Sequence, residues 1–344
     1  MKAVTQRSRL RIALRGVVLG ALAATLGQAA EGHTVKIATL VPDGSFWDLI
    51  LEEQLEAWEE GTDGRVDARL YPGGVAGDDP GIVRKLRIGQ FQAAALSFQG
   101  LMEIDEGFRV LALTRFYASR AELLHVLDRL EPLLRERLEE SGFILLNWGF
   151  AGWARLYCKR PVRVPDDLRA QKLFVWGGDA PSMRIYRSEG LQPVGVAATD
   201  VTLALQTGMI DCIGTPPLVA LTLQYFRQAS YQLDQPLAPF VGATVMTTRA
   251  WNALSDADRA VIMEASARAQ ERYLEEVPDQ EARAISAMEA RGLQRTDMAP
   301  DSRDDWEALA EAMAAQYRGV LVPTDVFDRA VEARNEFRAA RPDG

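Results

Sequence analysis

The stretch from Pro165 to Pro217 alternates strand, helix, strand, helix and strand signals, and that order restricts the fold more than any other segment. Val164-Pro165-Asp166-Asp167-Leu168 reads as a turn leading into the apolar run Lys172-Leu173-Phe174-Val175-Trp176, a buried-strand pattern. Gly177-Gly178 breaks that strand, and Asp179 with Pro181 forms the start of a helix. Gly190 ends the helix before a second strand, Leu191 to Val196. Thr199 or Asp200 caps another helix that stops at Gly208, and Met209 to Gly214 returns as a third strand. This is the grammar of a parallel α/β sheet, whose ligands sit beyond the carboxyl ends of the strands.

Helices surround this core. Phe46, Trp47, Ile50, Leu51, Leu55 and Trp58 recur at helical spacing behind the candidate cap Ser45. Ala121–Leu138 and Ala253–Glu275 are similarly periodic, and Asp304–Tyr317 and Asp325–Ala339 read as terminal helices packed outside. At 344 residues the chain exceeds one comfortable core, which predicts two domains. Neither a repeat nor a linker separates them, so several chain crossings are expected, near Trp148–Ala154, near Phe240–Thr244 and within the long helix after Ala253.

The N-terminus reads as an export address. Lys2, Arg7, Arg9, Arg11 and Arg15 precede the apolar run Val17–Leu26, and Gly27-Gln28-Ala29 offers a small-x-small cleavage site. Residues 1–30 are therefore expected to be a signal peptide, the rest a soluble protein of the periplasm. A formal charge of -9 argues against nucleic acid or anionic lipid as the main partner. In an oxidising compartment Cys158 and Cys212 are either a disulfide or two buried thiols.

Catalytic and metal signals are weak. His33 and His125 are the only histidines, and no His/Cys/Asp group has zinc spacing. There is no nucleophile elbow, P-loop or dinucleotide fingerprint. Pairs such as Glu52-Glu53 and Glu275-Glu276 read as solvated helix faces. No catalytic residue, metal or cofactor is assigned, and an enzyme is disfavoured. Aromatic residues at strand ends and helix starts, Phe46, Trp47, Trp148, Phe150, Trp153, Phe174 and Trp176, are candidates for a ligand wall or for ordinary packing.

The same central run resembles the solute-binding proteins of TRAP (tripartite ATP-independent periplasmic) transporters. The residues that carry the resemblance are Asp167-Leu168, Lys172-Leu173, Gly190 to Val194, Leu203-Ala204-Leu205-Gln206-Thr207-Gly208 and Ile210-Asp211. Thr34–Thr39, Leu70-Tyr71-Pro72-Gly73-Gly74, Leu86–Gln90 and Trp251–Leu254 extend it over nearly the whole exported chain. The resemblance implies a two-lobed periplasmic binding protein fold, each lobe a mostly parallel sheet flanked by helices, with a long helix bridging the lobes. Lobe I would comprise 31-152 plus 241-279 and lobe II 153-240 plus 280-344. It implies capture of a small organic ligand by hinge closure and delivery to TRAP-type permease subunits, by a monomer or a dimer; a protein that signals to a membrane receptor is the alternative. The family's usual carboxylate anchor is an arginine two residues after the lysine of its strand motif, and here that position is Phe174. Arg155 matches a second family arginine and is either a ligand contact or a structural ion-pair partner. Thr215 follows the third strand at the expected cleft. The missing arginine predicts a ligand less acidic or more hydrophobic than the family's typical carboxylates.

Overall fold

A computed structural model of the chain describes residues 32–341; the expected signal peptide lies outside the described residues. Ten strands form one continuous sheet: β1 His33–Thr39, β2 Val66–Tyr71, β3 Ala93–Leu96, β4 Phe143–Cys158, β5 Lys172–Trp176, β6 Gln192–Val196, β7 Cys212–Thr215, β8 Tyr231–Leu233, β9 Ala238–Thr247 and β10 Gln294–Thr296. Their order is β2-β1-β3-β9-β4-β7-β5-β6, with β8 beside β4 and β10 beside β8. On one side β2, β1 and β3 run parallel. On the other, β7, β5 and β6 run parallel. The long strands β4 and β9 lie antiparallel between these groups. The architecture is the expected α/β one, a mostly parallel sheet in each half flanked by helices.

β4 serves both halves. Its first part pairs with β9, and its last part pairs with β7 and β8. The register with β9 shifts between Phe150 and Trp153, where Gly152 takes a φ of 100° that other residues rarely adopt. Across β4 and β7, Cys158 stands opposite Cys212 with Cα atoms 4.1 Å apart, and the two form a disulfide. Of the two alternatives, the bonded one is what the structure holds.

Local chemistry explains most element ends. Ser45 caps the helix Phe46–Gly61 by accepting from the Asp48 N–H, and Asp179 caps Ala180–Ser188 by accepting from the Ser182 N–H. Gly208, at φ 74°, closes the helix Val201–Thr207. Three boundaries differ from the sequence reading. The segment after Val164 is a short helix, Pro165–Arg169, not a bare turn, because the Asp167 carboxylate accepts from the Arg163 and Val164 N–H groups and anchors its start. The third strand begins at Cys212, since the Ile210 N–H turns back to the Ala204 carbonyl and leaves Met209 exposed. The long helix is Asp256–Glu289, starting behind the cap Ser255 and running through Pro278. Proline removes one N–H from a helix but need not end it when packing holds both sides. At 34 residues it spans about 50 Å. It packs against β4, the helix Phe46–Gly61 and the helix Pro217–Thr222, and so touches both halves of the sheet.

Candidate functional site

Where the strands of both halves end, a cavity of about 330 Å³ opens. It collects residues from β1, β3, β4, β5, β7 and β9 and from the turns that follow them. Trp47, Phe150, Phe174, Trp176, Tyr225 and Phe240 form its aromatic wall. None of the described residues lining it is Arg, Lys, Asp, Glu or His. Its polar capacity is in hydroxyls, and three of these are already engaged. Thr39 Oγ1 donates to the Ala95 carbonyl at 2.8 Å, Tyr273 donates to the Trp47 carbonyl at 3.3 Å, and Ser97 donates to the Asp79 carboxylate. Thr199, Thr202, Thr215, Thr244 and Tyr225 supply the rest. Burial pushes the Tyr225 phenol well above its ordinary range, so it stays protonated and able to donate.

Behind this wall lies fixed charge. Burial pushes the Asp79 carboxyl up to about 6, against the opposing hydrogen bonds from Ser97 and Gly100. Arg109, in the turn Glu106–Ala112, donates from Nη1 to Asp179 Oδ2 at 2.9 Å and to Ser182 Oγ at 2.8 Å. Its Nε and Nη2 donate to Glu106 at 3.1 and 3.0 Å. This buried pair ties a segment that follows β3 to the helix that follows β5.

The expected site residues divide into two groups. Phe174, Trp176, Trp47 and Thr215 line the cavity. Phe174 is buried with its ring 5.5 Å from that of Trp176. Arg155, Trp148, Trp153 and Phe46 are not among the lining residues. Arg155 Nη1 donates to Asp234 Oδ1 at 2.8 Å, the paired alternative. Trp148 is buried against Phe108, and its Nε1–H donates to Glu131 at 2.8 Å. The Trp153 N–H donates to Glu281 at 2.9 Å, and Phe46 packs against Trp47 with centroids 6.2 Å apart. On β4 the register shift between Phe150 and Trp153 breaks the alternation that a regular strand would carry on to Trp153 and Arg155.

With this geometry in place, residues 37–319 match the family described as bacterial extracellular solute-binding protein, family 7. The chain belongs to that family. Among relatives of this family 7 protein, a solute-binding protein of Chromohalobacter salexigens is 27% identical over 258 residues, covering 74% of this chain and 75% of the relative. A sialic acid-binding periplasmic protein of Vibrio cholerae is 23% identical over 301 residues, covering 86% of this chain and 91% of its own length. The sugar acid binding protein of Advenella mimigardefordensis, solved in complex with galactonate, has the same fold, with a TM-score of 0.82 at 16% identity over 89% of this chain and 99% of that one. Family 7 is a family of solute receptors, and this member is a binding protein and not an enzyme. No described helix is long and apolar enough to cross a membrane, and the described residues contain no cluster of His, Cys, Asp and Glu able to hold a metal ion.

Reading the sequence missed several residues of the site. Tyr225 and Phe240 sit in segments without a motif, and Thr199, Thr202 and Thr244 look like any other threonine on a helix or strand. Arg109 was missed because its partner, Asp179, is 70 residues away, and no spacing rule links them. One signal was available: a glycine at position 214, in the middle of an apolar strand, marks close approach or open space.

Proposed function

We propose that the protein captures a small, largely apolar organic solute in the periplasm and delivers it to the membrane subunits of a TRAP-type transporter. The observation that carries this reading is the uncharged aromatic lining of the cavity. An ionised carboxylate buried there would lack a cation, and burial of an unpaired charge is costly. Phe174 stands where the resembled family carries its anchoring arginine, so the position supplies an apolar ring in place of a guanidinium fork. Phe174, Trp176 and Trp47 act as the ligand wall, and Thr215 as one of the directing hydroxyls.

The mechanism is closure of two lobes, 31-152 plus 241-279 and 153-240 plus 280-344. Flexing at Gly152 and at the matching point of β9 would move one parallel group of strands against the other, with the long helix as brace. Ligand shifts this equilibrium by its differential affinity for the closed form.

Thermal unfolding of protein stripped by denaturation and refolding tests the ligand class. Neutral and weakly acidic apolar compounds at about 100 times their Kd should add about 2.7 kcal/mol of stability, and thus raise Tm by several degrees. Sialic acid, galactonate and succinate should not. Stabilisation by those three alone would overturn the apolar reading. Phe174→Arg should weaken the native solute about tenfold or more, equivalent to about 1.4 kcal/mol. An effect no larger than that of a surface substitution would remove Phe174 from the site.

A further inference from the structure

A second cavity of about 180 Å³ adjoins the first and shares Phe174, Trp176, Gly214 and Phe240 with it. Its far side is closed by Trp306, Met313 and Tyr317 of the C-terminal region. The sheet is open between the two spaces. β5 and β7 pair only through Leu173 and Cys212, so beyond that point no ladder joins Phe174 to Gly214. A Cβ at Gly214 would find no atom of the described residues within 4 Å, although the residue lies in a strand paired with Leu156. The remaining partition is aromatic: Phe98 meets Trp176 and Phe240 edge-on at 5.7 and 5.2 Å.

The inner cavity differs from the outer one in charge. Arg109, Arg115 and Asp179 line it. Arg109 is fully engaged by Asp179, Ser182 and Glu106. Arg115 is held less firmly: among the described residues it pairs with Glu307, 3.6 Å away and half-exposed. Arg115 also holds a left-handed backbone at φ 54°, fixed by its N–H to the Leu237 carbonyl at 2.6 Å. Such a conformation in a non-glycine residue persists where surrounding structure imposes it, often at ligand sites.

We propose that the two cavities form one bipartite site for an elongated monocarboxylate, with its apolar body in the outer cavity, its chain passing Gly214, and its carboxylate paired with Arg115 in the inner one. This rests on the apolar reading of the outer cavity and goes beyond it by naming the ligand class and a second subsite. It also reconciles an uncharged cleft with an acid ligand, because the charge is met by a guanidinium whose present partner is half-exposed and solvent-screened.

Calorimetric titration of the stripped protein with butanoate, octanoate and dodecanoate, and with the matching primary alcohols, tests this. Octanoate or dodecanoate should bind at least about tenfold more tightly than butanoate and than its own alcohol. Gly214→Val, which fills the passage, should abolish the chain-length advantage, so that the variant binds dodecanoate no more tightly than butanoate, and Gly214→Ala serves if the valine variant does not melt like wild type. Arg115→Gln should erase the preference for acid over alcohol. Equal affinity across chain lengths, unaffected at Gly214, would confine the ligand to the outer cavity; it would sink the bipartite site and leave the proposed function standing. An acid preference that survives Arg115→Gln would overturn the placement of the carboxylate. Binding of sugar acids or dicarboxylates with no response to any monocarboxylate or alcohol would overturn both readings.

Discussion

Replacing Arg109 by leucine is expected to destabilise the fold by about 3–5 kcal/mol, measured as a fall in the urea midpoint at unchanged slope. The cause is what the change leaves behind. Asp179 is buried, and its carboxylate faces Arg109 on one side and caps the helix Ala180–Ser188 on the other. Without the guanidinium it becomes a buried charge with only the Ser182 N–H and the helix start to stabilise it. Asp179→Asn keeps the cap and removes the charge, so adding it to Arg109→Leu should recover part of the loss. That recovery, a coupling of about 1–3 kcal/mol in a double-mutant cycle, distinguishes a charge effect from lost packing. A cost for Arg109→Leu below about 1 kcal/mol would mean that the pair is solvated in solution.

The second large effect is a pH-dependent gain from Glu281→Gln. Glu281, on the long helix, accepts from the Trp153 N–H at 2.9 Å directly beneath Gly152, where any Cβ would collide with its carboxylate. Burial pushes its carboxyl up to about 7, opposed by the Trp153 hydrogen bond and by the charge of Arg155, which Asp234 partly neutralises. Arg295 also pairs with that aspartate. The folded state thus binds this proton more tightly than the unfolded chain, whose carboxyl titrates near 4.5. The contribution to stability is complete below that value and is lost as pH rises through about 7. Glutamine keeps the acceptor for Trp153 and has no proton to lose. The variant should match wild type near pH 4.5 and exceed it by about 2–3 kcal/mol at pH 8.5, about 5 °C in Tm. A difference that does not change with pH would show that Glu281 ionises freely in the fold. Because the contact sits at the register shift joining the two halves, the same titration should alter how readily the halves move.

Much of the fold was legible in the chain because it is written in local chemistry. Strand β5 coincides with the apolar run Lys172–Trp176, and the caps Ser45 and Asp179 and the stop Gly208 act where their side chains or φ freedom require. The ends of the long helix were less legible, because Pro278 is a stop signal only where packing does not override it. The family resemblance likewise rests on short motifs at turns, which persist in a linear reading.

The site was legible only in part. Phe174 and Trp176 reach the cavity because they sit on the last residues of a parallel strand, and Thr215 because it ends the neighbouring one. Trp148 and Arg155 share the strand β4 with the cavity's Phe150, yet one is buried against Phe108 and the other is held by Asp234. Residue type and position predicted both roles equally well. The sequence by itself determined the order of elements, their caps and the absence of a guanidinium at position 174, since these depend on neighbours a few residues apart. Only the tertiary structure decided which aromatic rings face the cavity, that Arg109 holds Asp179, and that the sheet parts at Gly214. Those depend on contacts between segments tens to hundreds of residues apart, for which a linear pattern carries no distance.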